Sequence, residues 1–343
     1  MNNHKQITIN ILAYSSCLII IFMSMGYALF NESLSINATG IIGAPPGKRF
    51  SEVILSNETP TLNNGDGLYN YGSKYYYSGQ IVNNYVSFNE EIWRIVSIEE
   101  DGSIKIVKDE VVDINTITQI ETKTNFWKTN TSDYIKGLIL NEGRVLYDFK
   151  GRRPINQTLE NSYCINTYNG CNAYDIGTFD GKIVDSESLI KIYLETQYFP
   201  SMNQTAREQV QNYTLNIGIV ETNKKIDVVL SSEQTNTTSS YIGLLNISDY
   251  VYATQDTTCR NSFDKENCGY SNWLVLPNNQ YLLLNGKKVS TNAQIWTVTT
   301  SGKITSQDAN NRFFLRPVVV LNKNISATGT GTPDDMYILG DIL

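Results

Sequence analysis

Apolar residues along this chain fall into one long run and many short ones. From Ile7 to Phe30 no side chain is charged, and Leu12, Ala13 and the stretch Leu18–Phe22 give the run an aliphatic centre. As a helix, residues 7–30 would reach about 36 Å, enough to cross a bilayer. His4, Lys5 and the terminal amine form a basic entry, which the positive-inside rule leaves in the cytoplasm. Gly26-Tyr27-Ala28 offers a small-residue cleavage site, so a removed signal peptide fits equally well. Residues 1–30 are therefore predicted as a transmembrane anchor or signal peptide. The rest of the chain is expected outside the cell membrane, either tethered there or secreted after cleavage near Ala28.

Beyond the apolar run, period-2 patterns dominate. Leu34, Ile36 and Ala38 alternate as in a short first strand, and residues 44–67, with three of the eight prolines, read as a linker. Residues 31–67 thus form a strand and linker, and 68–343 the globular region. Within it, IVNNYVSF, EIWRIVSI and SIKIV read as strands, with Asp101-Gly102 making a hairpin turn. IDVVL, YIGLL, QYLLL, QIWTV and FFLRPVVVL read as further short strands, with a turn at SGK after Thr300. Residues 185–199 read as a helix capped by Asp185, with Leu189, Ile192, Tyr193 and Phe199 near one face. Glu187, Lys191 and Glu195 follow one another at i, i+4 on what would be its solvated side. The fold class expected is α+β.

Chemistry narrows the functions. His4 is the single histidine, so the region after residue 30 has no imidazole for Ser-His-Asp, Cys-His or His-zinc chemistry. A net charge of −7, with Lys and Arg scattered, disfavours a nucleic-acid partner. The chain is instead rich in asparagine (38) and tyrosine (22), the uncharged and aromatic balance of many exposed binding surfaces. Four of the five cysteines form two close pairs, Cys164 with Cys171 and Cys259 with Cys268. In an exported chain these read as two disulfides, each worth about 2.5 kcal/mol by loop closure. Zinc knuckles of the C-x-x-C kind have tighter spacing.

Two resemblances carry further expectations. GYALFNESLSINATGII resembles the start of exported Gram-positive surface proteins of the camelysin and biofilm-fibre kind. The order EIWRIV, IGLLNISDYVYA, CGYSNWLVLP, RFFLRPVVVLNKN resembles a class of exported Firmicutes domains that open on a WRI/WRV strand and close on an RPVV strand. Such domains are similar to the C-type-lectin-like fold of the formylglycine-generating-enzyme kind. The resemblance implies a small twisted antiparallel sheet, one or two helices, and long loops that bind. It brings no catalytic residue, because the copper-site cysteine pair of those enzymes has no matching position. Nor does it bring the calcium-sugar motifs, since Leu276-Pro277-Asn278 and Asn272-Trp273-Leu274 lack the acidic residues those motifs need.

The candidate ligand face is Tyr270, Asn272, Trp273, Asn278, Asn279 and Gln280, beside the second cysteine pair. An aromatic platform with amide donors suits a sugar or a peptide surface. The competing reading packs Trp273 in the core and spends the amides on turns. Trp93 and Trp296 lie in alternating strands and read as core. Arg316 would hold a buried carboxylate such as Asp249 or stack on an aromatic ring. Asp264, Glu266 and Asn267 are the only calcium candidates; no other metal or cofactor is expected. The sequence is thus read as a non-catalytic surface protein binding a glycan or protein on a cell surface. Its alternatives are a surface-fibre subunit and a histidine-free, carboxylate-based hydrolase.

Overall fold

The computed structural model describes residues 47–60, 65–112, 145–146, 172–179, 182–184, 187–288, 293–309 and 312–343. The apolar run 7–30, the strand around Ile36, Asp185 and the side chains of Leu189 and Ile192 lie outside the described residues. So do Cys164 and Cys171, and with them the first of the two expected disulfides. Among the described residues no helix is long and apolar enough to cross a membrane. Residues Lys48–Leu343 form one unit. It is mixed α+β, with many short strands and few helices.

Helix α1 (Phe50–Asn57) precedes five strands: β1 (Gly67–Tyr71), β2 (Lys74–Ser78), β3 (Tyr85–Phe88), β4 (Glu91–Ile98) and β5 (Ile104–Lys108). Then come β6 (Val145–Leu146), β7 (Gly177–Phe179), β8 (Lys182–Val184) and α2 (Leu189–Tyr193), which runs on through a π turn, Leu194–Tyr198. Next are α3 (Gln204–Gln209), β9 (Tyr213–Asn216), α4 (Ile226–Glu233), β10 (Thr237–Ser240) and α5 (Ile247–Tyr252). The chain closes with β11 (Tyr281–Lys287), β12 (Gln294–Val298), β13 (Ile304–Asp308), β14 (Arg312–Phe313), β15 (Val318–Leu321), β16 (Ile325–Thr328) and β17 (Tyr337–Ile342).

Eight strands form the main sheet, and β4 is its hub. One edge of β4 pairs with β3 and β2, the other with β5, which in turn pairs with β15. The last strand, β17, enters parallel to β3 and antiparallel to β16. This puts the WRIV and PVVVL segments two strands apart, and Trp93, Ile95, Ile106, Val319 and Leu321 are fully buried there. The expected hairpin between β4 and β5 turns at Asp101-Gly102. Gly102 takes a φ of +86°, where a side chain is strained, and Asp101 accepts from the Ser103 amide at 3.0 Å. A smaller sheet, β11–β12–β13, turns at Ser301-Gly302 as expected and buries Tyr281, Leu282 and Trp296.

Five readings are corrected. The linker at 44–67 holds α1 at its centre: Phe50 and Ile54, four apart, are buried, and Phe50 sets its ring edge-on to Tyr337 at 5.1 Å. IDVVL is the start of helix α4, not a strand. Ile226, Val229 and Glu233 face inward at helical spacing, a pattern that five residues of β-branched sequence conceal. YIGLL is irregular, joined to β15 by a bridge between Gly243 and Val318. Helix α2 forms with Tyr193 buried, but Ser188 is its cap, accepting from the Lys191 amide at 3.1 Å. Lys191 itself is buried rather than solvated. It pairs with Glu187, with Glu195 at 2.8 Å and with Asp175 at 3.7 Å.

Candidate functional site

Strand alternation places Tyr76, Ser97 and Lys105 side by side, because Tyr76 pairs with Ser97 and Ser97 with Lys105 in register. Lys74, two residues from Tyr76, shares that face. Helix α5 lies across it and brings Asp249, whose Oδ2 accepts from the Asn246 amide at 3.0 Å in a capping box. Lys105 Nζ sits 3.0 Å from Asp249 Oδ1 and 3.3 Å from Oδ2, and 3.9 Å from Glu99 Oε1. Glu99 in turn binds Lys74 and accepts from the Ser97 hydroxyl at 2.5 Å. Two ammonium groups and two carboxylates therefore form one chain, with the Asp249 side chain 2% exposed.

Charge sets the protonation of this network. Burial pushes the Glu99 carboxyl up, but Lys105 and Lys74 outweigh it and hold it at about 2. Burial works against the Lys105 ammonium, yet Asp249 and Glu99 overcome that and keep it charged well above the usual lysine range. Behind Asp249, Glu233 accepts from the Ser248 amide at 3.0 Å and its hydroxyl at 2.6 Å. Burial raises Glu233 to about 8, so it holds a proton at neutral pH.

Over the network opens a pocket of about 570 Å³, within the range of small-molecule sites. Lys74, Glu99, Lys105, Tyr213, Asn216 and Asn246 line it, and Gln211, Asn212 and Thr214 stand at its rim with Glu100 and Asp101. The Tyr213 hydroxyl is buried and has no hydrogen-bond partner among the described residues. Asn246 donates to the Asn216 carbonyl at 2.6 Å, which fixes β9 against α5. Along the same hairpin face runs a line of tyrosines. Tyr76 meets Tyr252 at 4.7 Å, Tyr252 meets Tyr71 at 4.5 Å, and Tyr71 stacks parallel with Tyr69 at 6.1 Å. Arg260 lies 4.6 Å over the Tyr71 ring.

The six residues singled out in the sequence differ in exposure and partners. Trp273 is 7% exposed and donates its indole N–H to the Tyr77 carbonyl at 2.8 Å. Asn272 is buried, donating to the Tyr250 carbonyl at 3.0 Å and accepting from the Leu274 amide at 2.9 Å. Gln280 donates to Thr297 Oγ1 at 2.9 Å and is half-buried, as is Asn279. Tyr270 and Asn278 stand exposed. Trp93 and Trp296 are core, as expected. Arg316 is buried and lies 5.4 Å over the Tyr281 ring, the aromatic contact expected as one of its two roles, but it does not hold Asp249: it donates to the Lys108 and Leu274 carbonyls at 2.7 and 2.8 Å and lies 3.9 Å from Asp109.

Of the two disulfides expected, Cys259 and Cys268 form theirs, closing a loop of two 3₁₀ turns. The bond expected between Cys164 and Cys171 is not among the described features, because both residues lie outside the described part of the chain. The three calcium candidates are turned to other partners. Glu266 pairs with Lys303 at 3.1 Å, Asn267 donates to Asp256, and Asp264 accepts from Ser262 at 3.0 Å. Among the described residues no three His, Cys, Asp or Glu side chains group as metal ligands. The pocket was missed in the sequence because its lining comes from five separated segments. The one local signal was the amide-rich stretch Gln211–Asn216, in which Tyr213 and Leu215 alternate with Thr214 and Asn216. Compared with protein-family models, with curated proteins and with solved structures, the chain matches none.

Proposed function

We propose that this chain is a non-catalytic surface protein, carried out of the cell by residues 7–30, whose C-type-lectin-like region binds a glycan in the pocket over Lys105. The observation that carries this reading is the pocket's make-up. The polar residues Asn212, Thr214, Asn216 and Asn246 line a cavity of sugar size, and the line Tyr76–Tyr252–Tyr71 runs along the same hairpin face outside its lining. Sugars are held by such hydrogen-bonding groups together with aromatic faces. The electrostatics favour binding over hydrolysis. A glycosidase needs one carboxyl group protonated and one free. Here Glu99 is held ionised between two lysines, and the protonated Glu233 is buried behind Ser248.

The test is titration of the full chain with a panel of neutral and amino sugars and their oligomers, with and without calcium. The reading predicts saturable binding that falls at least tenfold in Asn212→Ala/Thr214→Ala, both exposed positions, and is unchanged in Tyr270→Ala/Asn279→Ala. Loss in the second pair alone would return the site to the Tyr270–Gln280 loop. Release of reducing ends during the titration would establish a hydrolase.

A further inference from the structure

We propose that the pocket over Lys105 selects a sugar carrying a free, protonated amine over its N-acetylated counterpart. This inference rests on the glycan reading and adds the charge of the ligand to it. Among the charged groups of the lining, Lys74 is bound to Glu99, and Lys105 to Asp249 just behind the wall. Those four charges cancel. Two carboxylates are left at the rim, Glu100 and Asp101, both exposed. Neither forms an ion pair among the described residues. Asp101 spends Oδ1 on the Ser103 amide at 3.0 Å and hydroxyl at 2.6 Å, which leaves Oδ2 unengaged. Lys323 acts on Asp101 from outside the lining.

The acidic rim stands over a cavity with other marks of a ligand site. The Tyr213 hydroxyl is buried in the same lining and has no hydrogen-bond partner among the described residues. A buried polar group left so calls for a partner from outside the chain. Gln211, Asn212 and Thr214 stand beside it with groups suited to sugar hydroxyls. An ammonium group on such a sugar meets negative charge at the mouth of the pocket, and a carboxylate on it meets repulsion. An N-acetyl group carries no charge and gains nothing from Glu100 or Asp101. Because both carboxylates stand in water, the gain is modest and falls with salt.

Titration calorimetry of the full chain with a β-1,4-linked glucosamine trimer and its fully N-acetylated counterpart tests this. The free-amine trimer should bind about threefold to tenfold tighter at low salt, as two exposed ion pairs allow. That margin should close in about 0.5 M salt. Glu100→Gln/Asp101→Asn should bring the two trimers to equal affinity and leave binding of the N-acetylated one unchanged. Asp334→Asn/Asp341→Asn makes the same charge change at exposed positions outside the lining and should keep the preference. Equal affinities in the wild-type chain, or tighter binding of the N-acetylated trimer, would overturn this inference and leave the glycan reading standing. So would a preference that survives Glu100→Gln/Asp101→Asn, or one that the distant pair abolishes as well, which is general attraction to an acidic chain. Absence of binding by either trimer and by every sugar of the panel would overturn the glycan reading and this inference with it.

Discussion

Trp273 and Arg316 separate structural from recognition roles one side chain at a time. Trp273 keeps most of its burial in Trp273→Phe but loses the N–H that serves the Tyr77 carbonyl. A cost of about 1 kcal/mol is expected in urea unfolding, the worth of one internal hydrogen bond, with sugar binding unchanged. A variant as stable as wild type but unable to bind would put Trp273 in the ligand face after all. Arg316 spends two donors on backbone carbonyls, of Lys108 and of Leu274, the latter shared with the Tyr281 hydroxyl at 2.9 Å. Arg316→Leu removes a charged donor from each of those carbonyls and should cost about 2–4 kcal/mol by the same measurement. A near-neutral result would mean that water or a shifted backbone replaces the guanidinium.

At the scale of elements, the junction of α4 and α5 controls how stability responds to pH. Glu233, raised to about 8, keeps a proton that the unfolded chain releases near the ordinary 4.5. Its contribution to stability therefore falls as pH rises from about 4.5 to about 8, by up to about 1.4 kcal/mol per unit. Glu99, held near 2, acts oppositely: its contribution is present above 4.5 and fades as pH falls toward 2. Stability should peak near pH 4.5, and Glu233→Gln should flatten the alkaline decline. The same decline in that variant would remove Glu233 as its cause. The Cys259–Cys268 loop makes a second prediction. Replacing both cysteines by alanine should cost about 2.5 kcal/mol, the loop-closure value, and leave the pocket's sugar affinity intact.

For the whole molecule, what could be read from sequence was what repeats locally. WRIV, SIKIV, QYLLL and QIWTV alternate or run apolar long enough to declare strands, and Asp101-Gly102 declares its own turn. IDVVL and the FSEVIL of α1 were too short for a period to show. Their helical state depends on what Ile226 and Phe50 pack against. The site was less legible still. Its parts come from β2, β4, β5, β9 and α5; strand register aligns Tyr76, Ser97 and Lys105, and long-range bonds from Asn246 and Asp249 bring in β9 and α5. Asparagine and tyrosine content pointed to a polar, aromatic binding surface without saying which asparagines.

Hydrogen exchange of the full chain, alone and saturated with the tightest sugar found in the titration, addresses the location of binding directly. The glycan reading predicts slowed exchange in residues 97–105 and 211–216, with 270–280 unchanged. Slowing confined to 270–280, or none at either place, would contradict it.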